Sequence, residues 1–163
     1  MQGSSLVIDR LNRLLTGELT SADQYLAHAR MYADWGYRRL AERIGHEREE
    51  ELDHARRLID RILFLEGKPD LATRNPLAIG SDVPSMLAND LAIELSTIAE
   101  LKSAIVLAEQ EKDFQTRHIL RELLADTEED HTRWLEQQLG LIKALGLPNY
   151  LQSAAGDLAG DAS

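Results

Sequence analysis

The chain has 163 residues, 44% hydrophobic and 28% charged, with 28 acidic against 18 basic side chains and a net charge of −10. That is the size and balance of one soluble domain with a continuous core; the acidity serves solubility, attracts cations and argues against nucleic-acid binding. There is no cysteine, which excludes disulfides, iron–sulfur clusters, zinc knuckles and thiol nucleophiles, and neither a bilayer-length apolar run nor a signal pattern is present, so no membrane partner and a cytoplasmic address are expected.

Apolar residues recur at three- and four-residue steps through four segments, the signature of helices. The first runs from about Ser5 to Trp35, with Ile8, Leu11, Leu15, Leu19, Ala22, Leu26 and Ala29 near one stripe, until Gly36 breaks it. The second runs from about Arg38 to Glu66, through Leu40, Ile44, Leu58, Ile62 and Leu65, and ends at Gly67 and Pro69. An aperiodic link follows, from Gly67 to Asp82. The third helix opens near Ser81 or Asp82, with Pro84 in its first turn, and reaches about Lys112. A tight join at Asp113 leads to the fourth, which carries Leu120, Leu124, Leu135, Leu139 and Ile142 until Gly146 and Pro148 stop it. A short helical turn, Asn149 to Ala154, follows. One domain, residues 1–155, is expected, with residues 156–163 a disordered tail.

The connections carry the topology. Helices one and two, and three and four, are joined tightly and should be antiparallel. The middle link of roughly sixteen residues can reach about 50 Å, against about 42 Å for a helix of some 28 residues. It can therefore run the full length of the bundle and make helices two and three parallel. The fold expected is all-α: a four-helix bundle with a single long crossover and a short fifth helix.

The informative positions interrupt the apolar stripes. Helix one reads Leu11, Leu15, Glu18, Ala22, Tyr25; helix two reads Leu40, Ile44, Glu47, Glu51, His54, Leu58. Helix three gives Leu87, Leu91, Glu94, Ile98, Leu101, and helix four gives Leu120, Leu124, Glu128, His131, Leu135. Each helix thus points a carboxylate inward, and two also point an imidazole one turn away. No lysine or arginine shares those stripes. Four carboxylates without counter-charge would be costly to bury, and two divalent cations would balance them. Glutamate oxygens with histidine nitrogens suit iron or manganese and leave positions open for oxygen or water. A single Glu-x-x-His reads as well as a solvated helix face. Here Glu51–His54 and Glu128–His131 each follow a lone inward glutamate, Glu18 and Glu94, by nearly the same interval, as a pseudo-symmetric two-metal site requires.

With these residues in place the chain resembles a bacterioferritin over nearly its whole length, through "LNRLLTGELTSADQYLAHARMYADWG", "IDRILFLEGKP", "DLAIEL", "ADTEEDHTRWLEQQLGLI" and "NYLQS". The resemblance implies a ferritin-like bundle, a hollow shell of 24 copies, ferric mineral inside, and a ferroxidase centre that oxidises Fe(II) to Fe(III). It implies Glu18, Glu51, His54, Glu94, Glu128 and His131 as ligands of a non-haem di-iron centre, with Glu51 and Glu128 bridging. Tyr25 matches a tyrosine near the irons; it is either a redox participant or a core aromatic whose hydroxyl is satisfied by a ligand carboxylate. His46, with Glu47 and Glu50, resembles a secondary iron site on the inner surface, or else a solvated acidic face. His28 and His118 match no motif and are expected on the surface.

The departure falls at Leu52, in Glu51-Leu52-Asp53-His54. Bacterioferritins bind haem through a methionine there, and leucine has no donor atom. Met31 and Met86 read as gap-filling residues. The chain therefore resembles the non-haem bacterial ferritins that keep the bacterioferritin framework, and no haem is expected in a homopolymer. A haem-binding partner subunit in a mixed shell, and a ferredoxin as electron donor for release, remain compatible with the family. Among rivals, a rubrerythrin-like peroxidase carries cysteine pairs that this chain lacks, and a DNA-protecting mini-ferritin places its metal site between subunits.

Overall fold

The computed structural model describes residues 1–157, and six α-helices and one π-helical segment make up its regular structure: α1 (Ser5–Asp34), α2 (Arg38–Phe64), α3 (Val83–Gln110), α4 (Phe114–Asp126), the π segment (Thr127–Thr132), α5 (Arg133–Leu145) and α6 (Leu147–Ala155). No strand occurs among the described residues, and no helix there is long and apolar enough to cross a membrane. Gly156 and Asp157 are described; the rest of the expected tail, residues 158–163, lies outside the described residues.

Cross-helix contacts give the topology. Gly3 N–H donates to the Leu65 carbonyl at 3.0 Å, so the start of α1 meets the end of α2 and the two are antiparallel. Arg10 reaches Ser103 while Gln24 reaches Asp90, so α1 and α3 are antiparallel too. Helices α2 and α3 are therefore parallel, as a long crossover demands. Arg61 pairs with Asp113 and Arg43 with Asp130, which sets α2 antiparallel to α4 and the π segment. Helix α6 folds back on α5, where the Tyr150 hydroxyl donates to Gln138 at 2.9 Å.

The helix ends follow local chemistry. Asp82 caps α3 by accepting from Ser85 N–H at 2.9 Å, while Ser85 Oγ accepts from Asp82 N–H at 3.2 Å, a capping box. Helix α2 ends at Phe64, two residues before the expected Glu66. Gly67 N–H bonds back to the Ile62 carbonyl and Glu66 N–H to that of Leu63, so the left-handed residue that closes the helix is Glu66, at φ 63°. Gly67 serves a different need there: a β-carbon on it would lie 2.7 Å from Ile8 Cγ2.

The core has two apolar halves. One gathers Leu11, Leu15, Leu58, Ile62, Leu101 and Leu120; the other gathers Tyr25, Ile44, Met86, Leu87, Leu135 and Tyr150. Glu51, His54, Glu94 and His131 fall along their helices in the gap between the halves. Leu26, expected on the inner stripe, is turned outward and 44% exposed. Its neighbour Tyr25 takes the core position.

The crossover is pinned along α1 by side chains four or eight residues apart. Asn12 Oδ1 accepts from Asp70 N–H, Thr20 Oγ1 from Asn75 N–H, Gln24 Oε1 from Ala78 N–H, and His28 Nε2 from Gly80 N–H at 3.2 Å. Asp90 of α3 closes this ladder, accepting from Gln24 Nε2 at 2.8 Å and lying 2.8 Å from His28 Nδ1. The surface position expected for His28 is thus corrected: it is fully buried, and its ring bridges α3 and the crossover. A lone histidine with no motif around it carries no sequence sign of this, because its partners are a carboxylate and a backbone amide distant in the chain. His118 is exposed as expected. Asp90→Ala removes the partner shared by Gln24 and His28, leaving both buried and short of one hydrogen bond. It should destabilise the chain by about 1–3 kcal/mol, read as a lowered urea midpoint, with Asp90→Asn costing less.

Candidate metal centre

In the polar gap, α1 supplies Glu18 and Tyr25, α2 supplies Glu51 and His54, α3 supplies Glu94 and the π segment supplies His131. All six are buried. The ligand atoms of the other five form, with Tyr25 left out, two overlapping triads, Glu18–Glu51–His54 and Glu51–Glu94–His131, each within 4.8 Å. Glu51 belongs to both. His54 Nδ1 stands 3.6 Å from Glu18 Oε2 and 3.6 Å from Glu51 Oε2. His131 Nδ1 stands 2.9 Å from Glu51 Oε1 and 3.6 Å from Glu94 Oε1. The two imidazoles lie face to face, centroids 5.7 Å apart and planes 14° apart.

Several of these donors have no hydrogen-bond partner: both oxygens of Glu18, Nδ1 of His54 and Nδ1 of His131. Buried polar atoms are almost always paired, so four unpaired donors converging on one spot fit a cation. Oxygen and imidazole donors, with no thiolate, suit iron, manganese or zinc. Tyr25 is fully buried and its hydroxyl donates to Glu94 Oε1.

Electrostatics agree with that chemistry. Burial, reinforced by Glu51, pushes the Glu18 carboxyl up from 4.5 to about 8, and burial chiefly raises Glu94 as well. Burial and Glu94 act to raise Glu51, yet the closeness of Glu18, His131 and His54 leaves it lowered. Burial disfavours a charged His54, but Glu18 and Glu51 outweigh it and lift the imidazole from 6.5 to about 10. Burial opposes charge on His131 too, while Glu47, Glu51 and Glu94 drive its pKa far above the usual imidazole range. Burial, then Glu94, Asp90 and Glu51, keep the Tyr25 phenol protonated. Protons thus occupy the places that cations would take.

Not every expected residue joins. Glu128 is turned away: its side chain is 40% exposed and its Oε1 lies 2.6 Å from Lys102 Nζ. The cause is the π segment, whose wider turn subtends a smaller angle per residue. Residues three apart share a face in an α-helix, but here His131 stays inward while Glu128 leaves the inner face. The stripes themselves hold no basic side chain, but Lys102 waits at their margin. His46 is exposed, with Nε2 3.3 Å from Glu50 Oε1. The cluster that does form on this side is Glu47, Glu50, Asp130 and His131. Glu47 is buried there, with Arg43 beside it at 2.5 Å and His131 Nε2 at 3.0 Å. Asp130, Arg43 and Asp126 were not singled out in the sequence, where they look like ordinary members of charged helix faces.

An all-α bundle with one crossover and a buried carboxylate–imidazole cluster shared between its helices defines the four-helix metal-carboxylate class. Comparison with known proteins narrows it. Residues 8–145 match the family model of the ferritin-like domain. The chain is 58% identical to a bacterial ferritin of Paramagnetospirillum magnetotacticum over the whole of both chains. It is 54% identical to a bacterial ferritin of Synechocystis over 94% of this chain and 98% of that one. A bacterioferritin of Brucella melitensis is 42% identical over 93% and 94%. The chain belongs to the ferritin family, and this membership supports a role in iron storage.

Because Glu18 and His54 bind protons more tightly folded than unfolded, their stabilisation is complete below pH 4.5 and 6.5 and is lost as pH rises through about 8 and about 10. Stability of the metal-free protein should therefore fall across that range in urea titrations after chelation. Glu18→Gln, which mimics the protonated acid, should flatten the part between pH 4.5 and about 8.

Proposed function

We propose that this chain is a subunit of a hollow iron-storage shell and a ferroxidase, oxidising Fe(II) between Glu18, Glu51, His54, Glu94, Glu128 and His131. One observation carries the reading: Glu51 is shared by two buried carboxylate–imidazole triads, in which Glu18 and the Nδ1 atoms of His54 and His131 lack hydrogen-bond partners. A shared carboxylate is what two cations held side by side need.

Iron is the substrate here. Two Fe(II) ions held there would supply one electron each, taking dioxygen to hydrogen peroxide or peroxide to water, and the resulting Fe(III) either passes to the stored mineral or stays in the centre to accept electrons from interior iron. The chain's own part is to hold and to exchange protons. Glu51 lies between the metals, Glu18 and His54 hold one, Glu94 and His131 hold the other, and Glu128 completes the set by turning from Lys102. Protons held on Glu18, His54 and His131 leave as the metals enter. Tyr25, donating to Glu94, sets a phenol beside the second metal, where it can orient that carboxylate or supply an electron. Glu47 and Glu50, with Asp130 and His131 and near His46, form a secondary iron site between the centre and the inner surface.

Assembly as 24 copies, a cytoplasmic address, co-assembly with a haem-binding subunit and reduction by a ferredoxin accompany this reading by family likeness. Non-haem iron is the proposed metal. Leu52, half-buried against the apolar half of the core that holds Leu58 and Ile62, offers no atom to haem iron.

Glu51→Ala with His54→Ala should lower the rate of Fe(II) oxidation by roughly 100-fold or more, since the loss of ligands exceeds the 10–100-fold typical of their outer partners. Stopped-flow absorbance would follow the oxidation and sedimentation velocity the shell; wild-type kinetics in the double variant would sink the site assignment. The recombinant homopolymer should show no stoichiometric haem band with bis-thioether ligation, and such a band in its visible spectrum would overturn the role given to Leu52.

A further inference from the structure

The two imidazoles of the centre are held in the same way from opposite sides. Each aims Nδ1 at the inner carboxylates, and in each that atom has no hydrogen-bond partner. Each aims Nε2 at a carboxylate outside the two triads. For His131 of the π segment these are Glu50 at 2.9 Å and Glu47 at 3.0 Å, both on α2. For His54 of α2 it is Asp126, the last residue of α4, whose Oδ2 lies 3.4 Å away. The partners are exchanged: the ring on the π segment hydrogen-bonds to α2, and the ring on α2 has the end of α4 within 3.4 Å.

We infer that Asp126 is a positioning residue for the metal between Glu18, Glu51 and His54, accepting the Nε2–H of His54 so that Nδ1 faces the cation. The inference rests on the two-metal reading above. An imidazole that ligates through one nitrogen usually donates its other N–H to a carboxylate, which fixes both the tautomer and the plane of the ring. His54 has its unpaired nitrogen inside and a carboxylate outside, which is that arrangement.

The π segment explains why the residue is Asp126. Its hydrogen bonds run from i to i+5, so it brings residues five apart close to one face. Asp126 and His131 are five apart. The same widening that takes Glu128 out to Lys102 leaves Asp126 near the inner face beside His54. Asp126 belongs to none of the candidate metal clusters, and its side chain is 55% exposed, so it reaches inward from the protein surface. His131 has two outer carboxylates, one of them buried, whereas His54 has this single one. Removing Asp126 should therefore affect one metal and spare the other.

The test is binding of Co(II) to the intact, metal-stripped protein, followed by its visible ligand-field bands, with the thermal midpoint and sedimentation as folding controls. Wild type should bind two Co(II) per chain in the centre. Asp126→Ala should weaken one of them by roughly 10–100-fold and leave the second unchanged. Asp126→Asn, whose amide oxygen still accepts from Nε2–H, should restore most of the loss. Two unaltered Co(II) sites in Asp126→Ala would overturn the inference while leaving the two-metal centre standing. So would equal loss at both sites, or Asp126→Asn as weak as Asp126→Ala, which would mark charge or direct ligation in place of positioning. A wild-type chain that does not bind the Co(II) pair would instead remove the two-metal reading, and this inference with it.

Discussion

Carboxylates withdrawn from water in the middle of a helical bundle must find positive charge, and the rest of this structure is arranged around that requirement. Glu18, Glu51 and Glu94 are 1–2% exposed, with no lysine or arginine among them. Protons on Glu18 and the two histidines meet the need in the metal-free state, and cations can meet it in their place. Metal binding to groups of this kind releases the protons they hold. Had arginines entered the stripes, the carboxylates would have been locked in ion pairs and lost as ligands.

The two apolar halves make this tolerable. Leu11, Leu15, Leu58 and Ile62 pack on one side and Ile44, Met86, Leu87 and Leu135 on the other, so the helices are fixed in register above and below the polar gap. Carboxylate and imidazole atoms on four different elements are thereby held within a few ångströms of one another. The crossover adds a lateral constraint. Gln24, His28 and Asp90 tie α1, α3 and residues 78–80 into one satisfied network, one turn from Tyr25 and Glu94. Such a network is worth keeping only because every member is paired.

The π segment is the place where the helix departs from its own repeat in favour of the site. Glu47, Glu50 and Asp130 gather on one side of His131, Glu51 and Glu94 on the other. The imidazole thus stands between the centre and the acidic cluster beside it. A regular α-helix would have kept Glu128 and His131 on one face; the widened turn gives the fourth helix a choice of carboxylates, with Glu128 at Lys102 and Asp126 at His54. The widened turn changes which side chains meet.

Much of this was legible in the chain itself. The period of the apolar residues gave the helices and their order, because burial of one face dictates that spacing locally. The reach of the link gave the parallel pair. Glu18, Glu51, His54, Glu94 and His131 stood out because each interrupts an apolar stripe, and an interrupted stripe is a property of sequence. The structure decided what depends on partners far apart in the chain. His28 is buried because Asp90 and Gly80 N–H await it, and no neighbour in sequence reveals them. Glu66, not Gly67, takes the left-handed turn, and Gly67 instead lies where a β-carbon would meet Ile8. Leu26 faces outward because Tyr25 beside it fills the core. Glu128 leaves the inner place that α-helical spacing assigns it, since spacing fixes direction only while the helix keeps its pitch. The pitch of the fourth helix is set by what packs and bonds across the bundle, and that is known only once the helices have come together.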